Sequence, residues 1–385
     1  MLPIDAEALA ALPQALGRPY RAEWSNDGGL TWLACGLVAG SATVTAERGA
    51  EVRYSAQAVL TGVAHGAAGI NSISTNVRLW QGIALPRTDP LWLPAGRYTV
   101  TRAALGRTGI QVELDGLEDE VRAAGFPTAR TVGPGLARDL VAELVGEALP
   151  GVPIAWRSGV DPDTPVPQIV ATEDRWGVLA AGTDVSGTGT GIAAALAGEI
   201  WVDARGVVTV GPVPTLADPM VWRVGRGAGG VLVEPQEEQS SDGLVNVWAV
   251  SGEAGDGAPA IGPAYAWDDD PNSLTYAGPD PVGDPLAPQR QGLYWVRQRV
   301  GRHSSALITT ADQAATVARS KLADSLGVQS SLALTAACNP ALEPGDVVEV
   351  ETAPGVWERH LIDSLSWTLG AASMSCRTRT TARRL

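Results

Sequence analysis

Turn-forming residues limit what this chain can fold into, because 45 of its 385 residues are glycine and 27 are proline. Gly and Pro interrupt helices and mark turns, so the elements between them must be short. Helix-rich chains also favour Leu, Glu and Lys, whereas this chain contains a single lysine, Lys321. We therefore predict a mainly β chain of short strands joined by turns, and its length predicts more than one domain.

The net charge of −14 argues against proteins that wrap nucleic acid, because these need a basic face to displace counterions. The C-terminal stretch CRTRTTARRL is locally basic, and we interpret it as a solvated or partly docked tail. Asp5 and Glu7 stand where an export signal would carry basic residues, and no window approaches about 20 uninterrupted apolar residues. The sequence therefore predicts neither a signal peptide nor a membrane-spanning segment.

The three cysteines, Cys35, Cys338 and Cys376, do not have the spacing of metal ligands. Any disulfide scheme would leave one of them unpaired. We therefore predict that they are small buried hydrophobic residues of a protein made in a reducing compartment.

Residues 20–118 have the pattern of an antiparallel β-domain, after a short amphipathic helix predicted at residues 4–16. The stretch WSNDGGLTW predicts a hairpin that pairs two tryptophans across an Asn-Asp-Gly-Gly turn. RYTVTRAALGRTGIQVELDG predicts a second hairpin, whose outgoing strand alternates Ile110, Val112 and Leu114 with polar residues. We predict an antiparallel barrel or sandwich for this region.

Residues 125–215 have the pattern of a compact α+β unit. PGLARDLVAELVGEALPG predicts a helix with one apolar face, and a second helix is predicted near residues 189–198. EIWVDARGVVTVGP then predicts a hairpin that turns at Asp203-Ala204-Arg205-Gly206.

Beyond residue 220, predicted strands are separated by an acidic segment and a helix. Strands are predicted at residues 221–224 and 244–253, and residues 253–289 then contain seven acids, seven prolines and no Lys or Arg. This segment is too long for an ordinary turn, so we predict an extended arm on a neighbour or a mobile loop. Thr310-Ala-Asp-Gln313 is a capping box that begins a helix, and NPALEPGDVVEVET belongs to strands predicted at residues 328–380.

The stretch DVSGTGTGIAAALAG resembles a phosphate-binding turn, since Gly187, Gly189 and Gly191 precede an Ala-rich helix. It lacks the G-x-G-x-x-G spacing, a preceding buried strand and a Walker lysine. We interpret it as a flexible loop followed by a helix start.

The stretch WDDDPNS places Asp268, Asp270 and Asn272 at alternate positions, as a calcium loop does. Ser273 and Pro279 occupy the positions where such a loop requires Gly and Glu. We interpret it as a solvated acidic turn.

The remaining candidates for catalysis are isolated. His65, His303 and His360 are far apart and share no metal-binding motif, and no G-x-S-x-G elbow exposes a nucleophile. Glu118 and Asp119 are adjacent carboxylates, as in a proposed glycosidase pair, but 42 acidic residues produce such pairs by chance. We therefore predict no catalytic, cofactor-binding or metal-binding residue, and no enzyme.

Thirteen tryptophans against one phenylalanine leave a carbohydrate-binding module as an alternative, because exposed tryptophans stack on sugars. Several of them fall in alternating strand patterns, where packing in a core or an interface is commoner. These are Trp24, Trp201, Trp222, Trp248, Trp357 and Trp367.

In combination, several stretches resemble the minor tail or hub proteins of actinobacterial phages. They are LVNVWAVSGE, the Asp- and Pro-rich segment, ALITTADQAATVARSKLADSLG, and LTAACNPALEPGDVVEVET with the later ERHLIDSLSWTLG. These phage proteins are similar in design to the baseplate hubs of contractile tails and the tail-associated hubs of long flexible tails. The resemblance is strongest over residues 221–385 and looser over residues 20–215.

The resemblance implies a mainly β chain with α+β insertions, in which two β-barrel domains are each interrupted or followed by a smaller α/β domain. It implies an N-terminal helix or arm (1–19), a first barrel (20–120), an α+β insertion (121–215), a second barrel (216–252 and 328–385), and an acidic Pro-rich arm with a helix (253–327). The peptidase or lysozyme domain that is fused to some members is expected to be absent.

The resemblance further implies a structural virion protein without an active site or cofactor. A homotrimer would form a pseudo-sixfold ring, a symmetry adaptor that joins the sixfold tail tube to the threefold tip and encloses the channel. Expected partners are the tail tube or distal tail protein, a tip, spike or fibre protein, and the tape-measure protein, while DNA only passes through. The expected location is the tail tip or baseplate, after assembly in the host cytoplasm. The alternative is a tail protein that binds or degrades host-envelope carbohydrate.

Overall fold

Two barrels share one β-sheet in this protein. The computed structural model describes residues 1–14, 17–85, 89–171, 174–180, 191–227, 230–239, 244–253, 260–271, 273, 275–284, 298–305, 307–326 and 330–380. Thirteen of the described strands form this sheet, which runs from one barrel into the other. The predicted fold class, mainly β and dominated by barrels with small helical insertions, is confirmed.

Six strands close the first barrel: β1 (Tyr20–Ser25), β2 (Leu33–Leu37), β4 (Tyr54–Thr61), β5 (Asn76–Ile83), β6 (Leu91–Leu105) and β7 (Ile110–Gly116). Their order is β4-β2-β1-β5-β6-β7, and β7 pairs again with β4. A further strand, β3 (Thr43–Glu47), is antiparallel to β4.

Alternating side chains explain how these strands surround a core. Ile110, Val112 and Leu114 of β7 are at most 3% exposed, whereas the intervening polar side chains point outward, as a period of two predicts. The first hairpin differs from the prediction. Trp24 pairs with Leu33 and not with Trp32, because β2 begins only at Leu33.

Six strands form the second barrel: β15 (Met220–Val224), β16 (Leu232–Gln239), β20 (Ser330–Ala337), β21 (Val347–Ala353), β22 (Val356–Thr368) and β23 (Ser373–Thr380). Their order is β15-β21-β22-β23-β20-β16, with β15 parallel to β21 and the other neighbours antiparallel. Within the described ranges no ladder joins β15 to β16, so this barrel stays open between them. β21 is the strand that NPALEPGDVVEVET predicts.

The two barrels join where β22 pairs with β3. Residues 364–368 run antiparallel to residues 43–47, and Trp367 and Leu365 are buried beneath this junction at 4% and 1% exposure. One apolar core therefore extends through both barrels. The N-terminal helix α1 (Ala6–Ala11), shorter than predicted, adds Ala8 to the same core.

The two barrels repeat one arrangement of five strands. The path β3-β4-β7-β6-β5 in the first barrel corresponds to β16-β20-β23-β22-β21 in the second, and all neighbours on both paths are antiparallel. The long strands β6 and β22 also have a register shift at the same point, between Val100 and Arg102 and between Ile362 and Ser364. One chain therefore contains one five-strand arrangement twice, in a closed barrel and in a barrel that stays open between β15 and β16 within the described ranges.

An α+β unit follows the first barrel. Its helices are α2 (Glu118–Ala123), α3 (Ala137–Ala148), α4 (Arg175–Ala180) and α5 (Ile192–Ala195). Its strands are β8 (Arg130–Val132), β9 (Gly135–Leu136), β10 (Ile154–Trp156), β11 (Pro165–Val166), β12 (Ile169–Ala171), β13 (Gly198–Val202) and β14 (Val208–Pro212). The predicted apolar face of α3 packs in a core of its own, and β13 and β14 form the predicted hairpin.

Strands β17 (Val247–Gly252), β18 (Ile261–Trp267) and β19 (Val300–Ser305) form a separate sheet, against which helix α6 (Ala311–Leu326) packs. The second barrel is expected to include residues 216–252, but β17 (Val247–Gly252) does not belong to it, because β17 pairs with β18 and β19. Part of the predicted arm is a strand, β18. The described residues of the predicted arm contribute no side chain to the barrel core.

Helix α6 begins with the predicted capping box. The Gln313 N–H donates to the Thr310 hydroxyl, and the Thr310 N–H donates to Gln313 Oε1, both at 3.2 Å. These reciprocal bonds satisfy backbone donors that have no partner inside the helix. Ala314, Val317 and Ala318 of the predicted buried stripe are at most 4% exposed.

Trp367→Ala tests the packing at the junction of the barrels. The substitution removes apolar contacts and leaves a cavity, so we expect the free energy of unfolding to fall by about 3–5 kcal/mol. Ile73→Ala is the control, because Ile73 is 91% exposed and its truncation should change stability by about 0.5 kcal/mol or less. Urea unfolding followed by circular dichroism measures both, and equal losses would contradict the buried junction.

Candidate functional site

The three histidines lie in different parts of the fold. His65 is exposed in the loop between β4 and β5, while His303 on β19 and His360 on β22 are each 2% exposed. His360 Nδ1 lies 3.0 Å from the Thr378 hydroxyl, inside the second barrel. The structure therefore does not bring the histidines together.

The acidic turn after β18 is folded onto itself. Asp268 is 4% exposed, and its carboxylate accepts hydrogen bonds from the hydroxyls of Ser273 and Thr275. The interpretation of a solvated turn is therefore wrong for Asp268, although Asp270 is exposed. Asn272 lies outside the described residues, as do Gly187 and Gly189 of the glycine-rich loop.

Glu118 and Asp119 do not face each other in a cleft. Glu118 is 1% exposed, and its Oε1 accepts a hydrogen bond from the Val202 backbone N–H at 3.0 Å. Asp119 forms an ion pair of 2.6 Å with Arg122. Burial raises the pKa of Glu118 to about 7, and hydrogen bonding to the backbone opposes this rise only in part. Glu118 therefore links β13 to the end of the first barrel with a carboxyl that titrates near neutrality.

The cysteines are poor nucleophiles in this fold. Cys338 and Cys376 are buried as predicted, and burial raises the pKa of each thiol to about 12. Cys35 is half-buried, and burial raises its pKa to about 11. All three remain protonated at neutral pH, and the thiolate is the reactive form.

Neither a cluster of metal ligands nor a membrane-spanning helix is found in the part of the chain that the structure describes. No group of three or more His, Cys, Asp or Glu side chains there could hold a metal ion. No helix there is both long and apolar enough to cross a bilayer.

A group of charged and aromatic side chains lies where both barrels meet the α+β unit. We term it the junction cluster. It consists of Arg48 and Arg53 between β3 and β4, Arg157 after β10, Glu199 and Trp201 on β13, and Glu343 before β21.

Glu199 occupies the centre of the junction cluster. Arg48 Nε donates to its Oε1 at 2.7 Å, and Arg53 Nη2 donates to its Oε2 at 3.0 Å. The three side chains are only 14%, 8% and 6% exposed, in the order Glu199, Arg48, Arg53. Burial acts to raise the pKa of Glu199, but the charges and hydrogen bonds of the two guanidiniums outweigh it and lower that pKa.

Two guanidiniums stack on Trp201, because Cζ of Arg53 is 4.6 Å and Cζ of Arg157 is 4.7 Å from its ring centroid. Arg157 Nη2 also lies 3.4 Å from Oε2 of Glu343, whose pKa is raised by burial. Arg53 Nη1 reaches the Pro344 carbonyl at 3.5 Å. The cluster therefore ties the first barrel, the α+β unit and the second barrel to one another. Guanidiniums engage both oxygens of Glu199. The cluster is therefore suited to fixing the orientation of these three parts and not to proton transfer.

A second group, the Trp–Arg ladder, lies on the outer surface of the first barrel. Cζ of Arg78 is 3.9 Å from the Trp32 centroid, and Cζ of Arg21 is 4.8 Å from the Trp80 centroid and 4.7 Å from that of Trp92. The rings are thus stacked against guanidiniums, in an order Trp32, Arg78, Trp80, Arg21, Trp92 along the surface.

The contacts of Glu23 hold the middle of the Trp–Arg ladder. Its Oε2 accepts hydrogen bonds from Arg78 Nε at 3.0 Å and from Trp80 Nε1 at 3.1 Å. The ladder is not among the sites predicted from the sequence, although Arg78 and Trp80 alternate on β5 with the fully buried Val77 and Leu79. That alternation is the signal that both side chains face outward.

Of the six tryptophans predicted to pack in a core or an interface, four are buried. Trp201, Trp222, Trp248 and Trp367 are at most 8% exposed. Trp24 and Trp357 are partly exposed.

No protein-family model and no curated protein matches this chain. Solved structures do match. A tail protein from Neisseria meningitidis aligns over 94% of this chain and 96% of its own, with a TM-score of 0.59 and 10% identity. A prophage tail protein from Listeria monocytogenes aligns over 94% of both chains, with a TM-score of 0.54 and 8% identity. A prophage MuSo2 tail protein from Shewanella oneidensis aligns over 94% of this chain and 98% of its own, with a TM-score of 0.51 and 13% identity.

These likenesses run over nearly the whole length of each chain. The protein therefore has the fold of phage tail proteins, and the resemblance to such proteins is confirmed at the level of the fold. The actinobacterial type of hub stays a prediction.

Glu199→Gln tests whether the junction cluster holds its three parts together. The substitution leaves two buried guanidiniums without a counter-charge, so we expect the free energy of unfolding to fall by about 3–5 kcal/mol. Glu113→Gln is the control, because Glu113 pairs with Arg102 at the surface and is 52% exposed, and it should cost about 1 kcal/mol or less. Denaturant unfolding measures the free energy of unfolding of both variants. A similarly small loss of this free energy in Glu199→Gln and Glu113→Gln would contradict the role of the junction cluster.

Glu118 should make stability depend on pH in a known direction. Its pKa is about 7 in the folded protein against 4.5 for the free group, so the folded state binds one more proton between these values. The free energy of unfolding should therefore fall as pH rises from about 5 to about 8, by at most about 3 kcal/mol for this group.

Glu118→Gln should remove that dependence. Relative to the natural protein, the variant should gain stability at about pH 8 and gain little at about pH 5, because the natural carboxyl is already protonated there. Glu51→Gln, at a carboxylate that is 65% exposed, controls for the loss of one acid. Thermal unfolding at both pH values measures this, and an unchanged pH slope in Glu118→Gln would refute it.

Proposed function

We propose that this chain is a structural hub protein of a phage tail or phage-like particle. Three copies would form a ring that joins the sixfold tail tube to the threefold tip and encloses the channel. The observation that carries the proposal is the repeat of one five-strand path in both barrels, in a chain with the fold of phage tail proteins. Three copies then supply six similar barrels, which match a sixfold tube on one side and a threefold tip on the other by closed cyclic assembly.

The junction cluster supports this role because a ring element has to keep its barrels at a fixed angle. Arg48 and Arg53 of the first barrel bond Glu199 of the α+β unit, and Arg53 and Arg157 reach Pro344 and Glu343 before β21 of the second barrel. A change of angle between the barrels would therefore disturb these charge-assisted contacts together. The partners we propose are the tail tube or distal tail protein, the tape-measure protein, and a tip, spike or fibre protein. The location is then the virion.

The net charge of −14 fits a channel through which DNA passes without binding. A wall of carboxylates repels phosphates, so the genome would not adhere to it. DNA is therefore proposed as cargo that passes and not as a ligand.

The second candidate function is binding or degradation of host-envelope carbohydrate, and the Trp–Arg ladder is the surface that would serve it. Stacking on a sugar requires a free aromatic face. A guanidinium of Arg78 or Arg21 stacks on each of Trp32, Trp80 and Trp92 at 3.9–4.8 Å, which leaves at most one open face per ring for a sugar. Because the rings already stack on side chains of the same barrel, we favour the structural role and propose no catalytic activity.

Native mass spectrometry of the purified protein tests the proposed ring. We expect a species of three chains, because closed cyclic assembly satisfies the edges of all barrels together. A monomer at every concentration, or a ring of six chains, would contradict the proposal. Release of reducing sugar from purified cell-wall glycan, abolished by Glu118→Gln but not by Glu51→Gln, would instead support the carbohydrate function.

A further inference from the structure

The edge of one long strand is covered in the second barrel and uncovered in the first. In β22, the ladder to β21 ends at Leu361, and the same edge then pairs with β3 at residues 364–368. In β6, the ladder to β5 ends at Thr99, and residues 102–105 continue with β7 on the opposite edge. No described strand covers the edge that β5 has left.

The two strands correspond residue by residue. Thr99 and Leu361 both end a ladder, and the register shift that follows brings Arg102 into the position of Ser364. Leu105 then corresponds to Trp367. Trp367 is 4% exposed beneath β3, whereas Leu105 is 70% exposed. The first barrel therefore presents the same edge as the second, without its cover.

The missing cover has a counterpart in the same chain. β16 takes in the second barrel the place that β3 takes in the first, since each is antiparallel to the next strand of the path. β3 uses its other edge to bind β22, but the other edge of β16 carries no ladder in the described part of the chain. Each chain therefore has both halves of one further junction, and they lie on different barrels.

We propose that residues 102–105 of β6 pair antiparallel with β16 of a second copy of this chain, repeating between copies the β22–β3 junction that joins the barrels within one copy. The inference rests on the ring proposed above and adds which edges close it. A contact between two different surfaces of identical chains generates a ring when the rotation closes. It also covers two strand edges that would otherwise invite uncontrolled pairing.

The junction within the chain supplies the register of the junction between copies. Paired residues can be followed from β22 to β16 in the second barrel and from β6 to β3 in the first. By this comparison Ala104 is the equivalent of Ser366, and Glu238 is the equivalent of Thr45. The hydroxyls of Thr45 and Ser366 lie 3.4 Å apart. Ala104 should therefore lie directly opposite Glu238 of the second copy.

Charge and backbone chemistry agree with this register. Arg102 lies on the same face of β6 as Ala104 and is 71% exposed, so it stands diagonal to position 238, where the sequence has a glutamate. Pro235 of β16 corresponds to Ala42, whose carbonyl accepts the Leu369 N–H at 2.8 Å. A proline lacks the N–H but keeps its carbonyl, so β16 retains this acceptor. A partner other than a second copy would have to reproduce both the register and the charge.

Cysteine cross-linking tests the inference in the full-length chain. In a Cys35→Ser background, Ala104→Cys with Glu238→Cys should give covalent dimers and trimers on a non-reducing gel after oxidation with diamide. Ala104→Cys with Glu237→Cys is the matched control, because successive strand residues point to opposite faces and this pair should stay monomeric. Native mass spectrometry of each variant before oxidation reports whether the ring has formed.

The possible results separate the inference from the proposed function. A three-chain ring in which the 104/238 pair does not cross-link, or cross-links no better than the control, would refute the edge pairing and leave the ring intact. A monomer at all concentrations would refute both. As a second measurement, Arg102→Glu should raise the dissociation constant of the ring at least about tenfold, and adding Glu238→Arg should restore it. Failure of the double variant to recover would also count against the register.

Discussion

The pairing of β22 with β3 is the contact on which the rest of this architecture depends. It connects strands whose facing residues, Thr45 and Ser366, are 321 positions apart in the sequence, so it forms only when both barrels are present. Buried backbone groups need hydrogen-bond partners, and this ladder supplies them at the boundary of the two barrels. Because Trp367 packs beneath the ladder, the two barrels share one core and cannot rotate freely about each other.

The junction cluster adds orientation to that connection. A buried ion pair contributes little net stability compared with apolar packing, because both charges lose their hydration. Its effect is specific geometry: Glu199 keeps its charge only where Arg48 and Arg53 reach it from the β3–β4 turn. The α+β unit is thereby fixed against both barrels. This matches a protein whose proposed task is to place two similar barrels in a ring.

Local patterns in the sequence predict the elements well, and long-range partners less well. The capping box at Thr310 and the alternation of Ile110, Val112 and Leu114 act within a few residues, so they are legible without the fold. The strand at β17 is equally legible, but alternation does not say which sheet a strand joins, and β17 pairs with β18 and β19. The partners of Glu199 are more than 140 residues away in the sequence, so no local pattern indicates them.

The central claim is that the pairing seen between β22 and β3 also joins barrels of neighbouring copies. Hydrogen–deuterium exchange at the equivalent edges of β6 and β22 tests this claim most directly. The amides to compare are those of residues 101–105 that point away from β7, and those of residues 364–368 that point towards β3. We predict that the second set is protected in the dissociated chain and in the ring, and that the first set becomes protected only in the ring. Fast exchange of the first set in an assembled ring would contradict the shared junction.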